Sequence, residues 1–133
     1  MQVLPCAGAS PTALATALDA LAGLDRPVVL DCPAGAGPDG VLPLRAATRT
    51  VLVATPDRQS LQDAAKTAAM ARELDAPPVM TTLVRSRGVV DPDPLLEVPT
   101  TVHVPEVSLP PLEAKASKNR YRAVVTGLIE RNV

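Results

Sequence analysis

The sequence predicts an α/β protein, built as a single three-layer domain with a mainly parallel sheet. Short runs rich in Val and Leu alternate along the chain with longer segments of helical periodicity. Some of the short runs are apolar at every position, which is typical of strands that are covered on both faces. The chain has 133 residues, of which 47% are hydrophobic, so it can form one core. One domain is therefore expected to span residues 1–133.

The first expected elements are a short strand and a helix. "VLPC", Val3 to Cys6, is a strand candidate. The helix should begin at Ser10 and Pro11, because a Ser hydroxyl caps free amides and Pro suits the first turn. Gly23 supplies the stop. The apolar residues at helical spacing between these limits are Leu14, Leu18 and Leu21.

A second strand is predicted at Val28–Asp31, "VVLD", where the run is apolar on both faces until it ends in a carboxylate. A loop rich in Gly and Pro should follow over residues 33–40, and a short helix over 41–47. This segment therefore predicts a strand that leads into a flexible-backbone turn at the edge of the sheet.

The middle of the chain alternates strands with one long helix. "TVLVAT" at 50–55 predicts a central strand, and 57–74 predicts the longest helix, with Asp57 in its first turn. Two further strands are expected at 79–84 and 100–105. The broad apolar face of the long helix is formed by Leu61, Ala64, Ala65, Ala68, Ala71 and Leu74.

The last helix should begin at Leu112 or Ser117 and pack on the sheet. Its basic residues would suit an anionic lipid surface, but its apolar stripe lacks Trp and Phe, so packing is the expected role and membrane binding is not. The residues of that stripe are Tyr121, Val124, Val125, Leu128 and Ile129.

Composition excludes several classes of protein. The formal net charge of -1 does not suggest binding to nucleic acid. No apolar run approaches the ~20 residues that span a bilayer, and the first residues have no signal-peptide pattern, so a cytoplasmic location is expected. Cys6 and Cys32 form no CxxC pair and the chain has one His, so two reduced, half-buried thiols are expected in place of a zinc site.

Asp31 is the leading candidate for a functional residue. It ends a predicted strand just before a turn of Pro, Ala and Gly, at the carboxyl edge of the sheet where α/β proteins bind ligands. From the residues alone, the carboxylate could equally cap the loop that follows. The order of the neighbouring segments distinguishes these alternatives.

"VVLDCPAGAG", followed by "TVLVATPDRQSLQDAAKTAAMARELDAPPVMTTLVRSRG", resembles the second half of the MinD/ParA family of P-loop ATPases. In that family one strand ends in Asp-x-Pro-Ala-Gly, and the next ends in Thr-Pro and feeds a helix with an Asp-Ala pair, matched here by Asp63-Ala64. "VHVPEVSLP" is similar to the late strand and Pro-Glu turn of the family. The resemblance implies a P-loop NTPase-like fold that lacks its first strand and its phosphate loop.

The resemblance also implies roles for single positions. Asp31 would face Mg²⁺ and its waters, and Gly35 would bring a backbone amide near the γ-phosphate. Arg85 aligns with the Arg of an Asn-Arg pair. Val84 stands where the family places the Asn that reads adenine, and a Val side chain has no hydrogen-bonding group.

The phosphate-binding half of such a site is missing from this sequence. The family needs a Gly-rich loop with a Lys on the phosphates and a Ser or Thr on Mg²⁺. The sequence has no Gly-Lys dipeptide, and its first lysine is Lys66, inside the long helix. We therefore expect no ATPase activity and no bound cofactor, with Asp31 and Gly35 as relics of a Mg-ATP site.

Other polar residues are expected to be structural. Asp91, Asp93 and Glu97 lie among prolines and are interpreted as solvated loop residues, and His103 as a satisfied residue of a strand. Neither Ser10 nor Ser108 has the context of a hydrolase nucleophile.

The leading hypothesis is a MinD/ParA-like protein without ATPase activity, which regulates or scaffolds a complete relative in cell positioning or partition through a protein partner or self-association. One alternative is an ATP-binding protein whose phosphate loop comes from a partner chain or from an omitted upstream segment. Another is a remnant reading frame without a retained role. In the family, the strand that feeds the phosphate loop lies between the two strands represented here by residues 28–31 and 50–55. We expect these two to close up and pair directly, or another chain to supply the strand.

Overall fold

The computed structural model describes residues 4–6, 8–35, 37–98, 101–108, 110 and 113–130. None of the helices in those ranges is both long enough and apolar enough to cross a membrane. The helices are α1 (Pro11–Ala22), α2 (Pro38–Ala46), α3 (Arg58–Glu73), α4 (Asp93–Leu96) and α5 (Lys115–Glu130), and the strands are β1 (Thr50–Ala54), β2 (Pro78–Val84) and β3 (Thr101–Val104).

The strands form a parallel sheet in the order β1-β2-β3, so the predicted α/β class with a parallel sheet is confirmed. Helix α3 connects β1 to β2, and α4 lies in the connection from β2 to β3. The register pairs Ala54 with Leu83, and Leu83 with His103. The carboxyl ends of all three strands therefore meet at one edge, where the loops after β2 and β3 lie side by side.

One face of the sheet packs against α3 and α4 to form the core. Asp57 is the N-cap of the long helix α3, and its side chain accepts a hydrogen bond from the backbone N–H of Ser60. Its predicted apolar face is confirmed, because Ala64, Ala68 and Ala71 are buried. The other members of that face, which are half-buried, are Leu61, Ala65 and Leu74. The core cluster consists of Leu52, Ala54, Ala64, Ala68, Leu83, Leu96 and Val98.

The two N-terminal helices pack against each other. The Oγ atom of Ser10 accepts a hydrogen bond from the N–H of Ala13 at 3.2 Å, and Leu14 and Leu18 are buried, as the sequence predicts. Helix α2 begins at Pro38, earlier than residue 41, because Pro suits the first turn of a helix and here supplies it.

The prediction of a strand at Val28–Asp31 is wrong. These residues form no strand, and the expected pairing with residues 50–54 is absent. The side chain of Val29 is 91% exposed and that of Val28 is 41% exposed, so the segment is not covered on both faces. An apolar run becomes a strand only when a neighbour pairs with its backbone, and none of the described residues does so here.

Smaller differences concern the ends of the chain. Leu4–Cys6 form no strand, and Val3 lies outside the described residues. The predicted turn near residue 91 continues into the short helix α4, because Pro94 suits its first turn and Pro92 stands at its N-cap. The last predicted strand, at 100–105, is confirmed at Thr101–Val104, while Thr100 lies outside the described residues.

The final helix differs in its start and in its apolar stripe. It begins at Lys115, and the predicted start at Leu112 lies outside the described residues. Val125 is 56% exposed and Ile129 is 68% exposed, so only part of the predicted stripe packs on the protein. The half-buried members of the stripe are Tyr121, Val124 and Leu128.

Candidate functional site

The first candidate site is the turn that follows Asp31. The Asp31 side chain is exposed, and within the described residues it takes part in no ion pair. Gly35 has φ of 115°, a backbone conformation that a residue with a Cβ atom rarely adopts. The N–H groups of Gly40 and Val41 both donate to the carbonyl oxygen of Gly37 at 3.0 Å, which fixes the start of α2 after the turn.

Gly40 lets the turn pack directly on α2. A Cβ atom at Gly40 would lie 2.6 Å from the carbonyl oxygen of Gly35 and 3.5 Å from that of Pro33. The helix therefore meets the turn through backbone atoms, and a methyl group at this position would displace it. The close contact holds the geometry of the Asp31–Gly35 turn.

Cys32, next to Asp31, is half-buried and free. Its Sγ–H group donates to the carbonyl oxygen of Leu30 at 3.6 Å. Burial raises the pKa of the Cys32 thiol, and the neighbouring Asp31 carboxylate raises it further because both disfavour the thiolate. The thiol is thus kept in its protonated, less nucleophilic form. Cys6 is also half-buried, and the two cysteines form no disulfide with each other.

The lysines of the chain lie on α3 and α5. On α3, Nζ of Lys66 lies 2.9 Å from Oδ1 of Asp63 in an exposed ion pair. The oxygens of Asp63 also accept from Nε2 of Gln59 at 3.1 Å. The hydrogen bonds from Lys66 and Gln59 lower the pKa of Asp63. Asp63, which belongs to the Asp-Ala pair of the resemblance, therefore makes its side-chain contacts with residues of its own helix.

The residues expected on the adenine side follow β2. Val84 is the last residue of β2 and pairs with Val104 of β3. Arg85 is exposed and has φ of 53°, so the chain turns sharply as it leaves the strand. Among the described residues, no hydrogen bond or ion pair joins Arg85 to Asp31 or Gly35. The structure therefore does not connect the two halves of the expected site by direct polar contact.

The acidic group near residue 91 is only partly in a loop: Asp91 and Glu97 are exposed, while Asp93 is half-buried and begins α4. The N–H of Asp93 donates to Oδ1 of Asp91 at 3.1 Å, and Oγ1 of Thr101 donates to Oδ1 of Asp93 at 3.2 Å. Nη2 of Arg72 donates to the carbonyl oxygen of Leu96 at 2.6 Å, which ties α3 to α4. In the part of the chain that the structure describes, no group of three or more His, Cys, Asp or Glu residues could hold a metal ion.

A cavity that is open to solvent, and that the sequence does not predict, lies where β2 and β3 end. It measures about 520 Å³. At its base Oγ of Ser86 lies 2.7 Å from Nδ1 of His103 and accepts from the N–H of Gly88 at 3.2 Å. The interpretation of His103 as a satisfied strand residue is thereby confirmed. The sequence signal was Ser86 and Gly88 directly after a strand, but only the fold brings α5 across them.

Comparison with known proteins supports the fold. No protein-family model matches the sequence, and neither does any curated protein. Among solved structures, the crystal structure of the cell division ATPase MinD from Pyrococcus furiosus superposes with a TM-score of 0.71 at 22% sequence identity. The superposition covers 94% of this chain and 60% of that MinD chain. The fold is MinD-like. The fold that the sequence resemblance implies is thereby confirmed.

The MinD-like fold is partial. The chain spans 60% of the length of the MinD protein that it matches. At 22% identity the likeness establishes the arrangement of the backbone and says nothing about activity. The roles of Asp31 and Gly35 therefore depend on the chemistry of the turn itself.

Proposed function

We propose that this chain is a MinD-like protein without ATPase activity, which acts as a regulatory or scaffolding partner in cell positioning or partition. Its work is done through protein contacts, with another protein or with a second copy of the chain. The Asp31 turn is a relic of a nucleotide site and binds no cofactor in this role.

The open edge of β1 carries the proposal. Within the described residues β1 pairs only with β2, and its other edge has no strand beside it. Val53 on this strand is 65% exposed, and Val29 in the unpaired segment before it is 91% exposed. An apolar edge with unpaired backbone groups is a template for a strand from another chain. These features support a role in binding a protein.

The positions of the lysine side chains support the proposed absence of ATP hydrolysis. Transfer of a phosphoryl group requires positive charge placed on the β- and γ-phosphates. Lys66 is paired with Asp63 on the exposed side of α3, and Lys115 and Lys118 lie on α5. None of them adjoins the Asp31 turn in sequence, so the turn has no lysine of its own for the phosphates.

Calorimetric titration with Mg-ATP tests the nucleotide part of the proposal. We expect no binding tighter than millimolar, and the same weak heats from the Asp31→Ala variant. Asp39→Ala, which removes another carboxylate from the first turn of α2, is the matched control. A micromolar dissociation constant that is abolished by Asp31→Ala and preserved by Asp39→Ala would contradict the proposal.

A second candidate function is ATP binding with a phosphate loop supplied by a partner chain or an upstream segment. The specific observation that favours it is the ordered turn, with φ of 115° at Gly35 and a contact with α2 that only Gly40 allows. A turn of this form suits a close approach of backbone amides to an anion. The micromolar, Asp31-dependent constant described above would favour this candidate.

A further inference from the structure

We infer that the cavity between β3 and α5 binds a small organic anion with a phosphate or carboxylate group. This inference goes beyond the proposed function and does not depend on it, because the cavity involves neither the Asp31 turn nor the open edge of β1. The lining residues on which the inference depends are Ser86, Arg87, His103, Asn119 and Arg120.

The charge of the lining points to an anion. Arg87 and Arg120 line the cavity, and no carboxylate of the described residues does. In the described ranges the only ion pair is that of Lys66 with Asp63, so no described acidic side chain neutralises either arginine. The chain as a whole has a net charge of -1, so this local excess of positive charge is not a general property of the surface. Guanidinium groups bind phosphate and carboxylate through paired N–H donors.

The two arginines are carried by separate, anchored elements. Arg87 lies between Ser86, whose N–H donates to the carbonyl oxygen of Val104 at 3.0 Å, and Gly88, whose N–H donates to Oγ of Ser86. Ser86 is 3% exposed, so the base of this loop is part of the core. Arg120 lies on α5, which packs on β3. The fold thus brings the backbones that carry the two arginines to one cavity, while both arginine side chains are exposed.

Size and polarity define the class of ligand. A volume of about 520 Å³ lies within the range of roughly 300–1,000 Å³ that is usual for small-molecule sites. Asn119 adds an amide group to the lining, and Pro105 and Ala123 add apolar surface. A phosphorylated or multiply carboxylated small molecule therefore fits this lining better than a bare ion does.

A carboxylate in the adjoining groove sets the position of the anion. This groove, of about 420 Å³, shares Ser86, Arg87 and Pro105 with the cavity and is also lined by Glu106. The negative charge of Glu106 opposes an anion in the groove. The anionic group of the ligand therefore lies on the α5 side, between Arg87 and Arg120.

The test uses the purified full chain and two anionic probes, pyrophosphate and citrate, with adenosine as a neutral comparator. Calorimetry should show saturable binding of at least one anion and none of adenosine. Arg87→Gln and Arg120→Gln should each raise its dissociation constant about ten-fold, the usual effect of losing a hydrogen bond between charged groups. Arg58→Gln, which removes the same charge from the exposed start of α3, should leave the constant unchanged. Glu106→Gln should lower the dissociation constant of the anion, because it removes the neighbouring negative charge.

Three results would overturn the inference: no saturable binding of either anion at millimolar concentration, equal weakening by Arg58→Gln, or tight adenosine binding that the arginine variants do not alter. If a variant fails to fold, the changes in the amide chemical shifts of the wild-type protein on addition of the anion locate the binding site instead. The largest changes should fall at Gly88 and Asn119, and changes centred on α1 or α2 would contradict the inference. ATP is itself an anion, so heat that Arg120→Gln abolishes and Asp31→Ala preserves belongs to this cavity and leaves the proposed function intact.

Discussion

The carbonyl oxygen of Gly35 lies 2.6 Å from the place that a Cβ atom would take at Gly40. The two glycines let a turn and a helix meet through their backbones, and neither sequence motif nor periodicity marks Gly40 for this role. Gly40 is also inside α2, where Gly is a weaker helix former than Ala by about 1 kcal/mol. An Ala at position 40 would therefore favour the helix locally but would clash with the turn.

Gly40→Ala should destabilise the protein because the clash outweighs the gain in helix propensity. We expect a loss of about 1–3 kcal/mol in the free energy of unfolding, as for other overpacked sites. Gly23→Ala is the control, since Gly23 has φ of -81° and its nearest neighbour atom would lie 3.8 Å from the new Cβ. It should be neutral or stabilising by about 0.4–1 kcal/mol. Urea denaturation measures both variants, and a stable Gly40→Ala protein would show that the turn yields easily.

Thr82→Val should stabilise the protein. The hydroxyl groups of Thr81 and Thr82 are buried in β2 and have no hydrogen-bond partner among the described residues. Replacing Thr82 with the nearly isosteric Val removes the cost of an unpaired polar group, about 1 kcal/mol or more. In the control, Thr50→Val removes the hydroxyl that donates to the carbonyl oxygen of Ala76 at 2.7 Å, and it should destabilise by about 1 kcal/mol. Equal signs for the two variants in thermal unfolding would contradict this reasoning.

The loss of folding stability at acid pH should depend on Asp57. The hydroxyl of Thr55 donates to this carboxylate, as does the N–H of Ser60, and both lower its pKa. A group with a lowered pKa in the folded state contributes stability above its unfolded pKa, about 3.9, and loses it as the pH falls through the folded value. Asp57→Asn keeps a good N-cap without a titrating group, so its unfolding midpoint should fall less between pH 5 and roughly pH 2. The side chain is exposed and screened by salt, so the difference should shrink in high salt.

The sequence predicts local structure well where local rules decide it. Ser10 with Pro11 marks the start of α1, and the spacing of Ala64, Ala68 and Ala71 marks the buried face of α3. The sequence-based prediction fails where a residue that is distant along the chain determines the local structure. Residues 28–31 have the composition of a strand, but pairing needs a partner backbone that no local pattern reveals.

The same limit applies to the candidate sites. The motif around Asp31 can be read from consecutive residues, because a strand end, an acid and a Gly turn are adjacent in the chain. The cavity at β3 and α5 joins Arg87 to Arg120 across a strand and a Pro-rich connection. Neither arginine has a neighbour in sequence that suggests the other, so only the fold reveals the pair.

The final prediction concerns the open edge of β1, whose sequence Thr-Val-Leu-Val-Ala is free of charge and of proline. Natural edge strands are usually protected by a charged residue or a Pro within the strand. Strand β1 has neither, and its register with β2 shifts only at its start, between Thr50 and Val51. An antiparallel pairing of two copies about a two-fold axis at Leu52 would place Val53 opposite Val51 of the second copy, and pairs of β-branched residues stabilise such contacts.

The mean mass of the wild-type protein, measured by sedimentation, should therefore rise with concentration. Val53→Lys should keep the protein monomeric, because each introduced lysine would lie opposite the apolar Val51 and diagonal to the other lysine on the same face. Val125→Lys on the exposed side of α5 should behave as wild type. Self-association that Val53→Lys does not weaken would place the contact elsewhere, and a monomer at every concentration would leave a different protein as the only remaining donor of a strand.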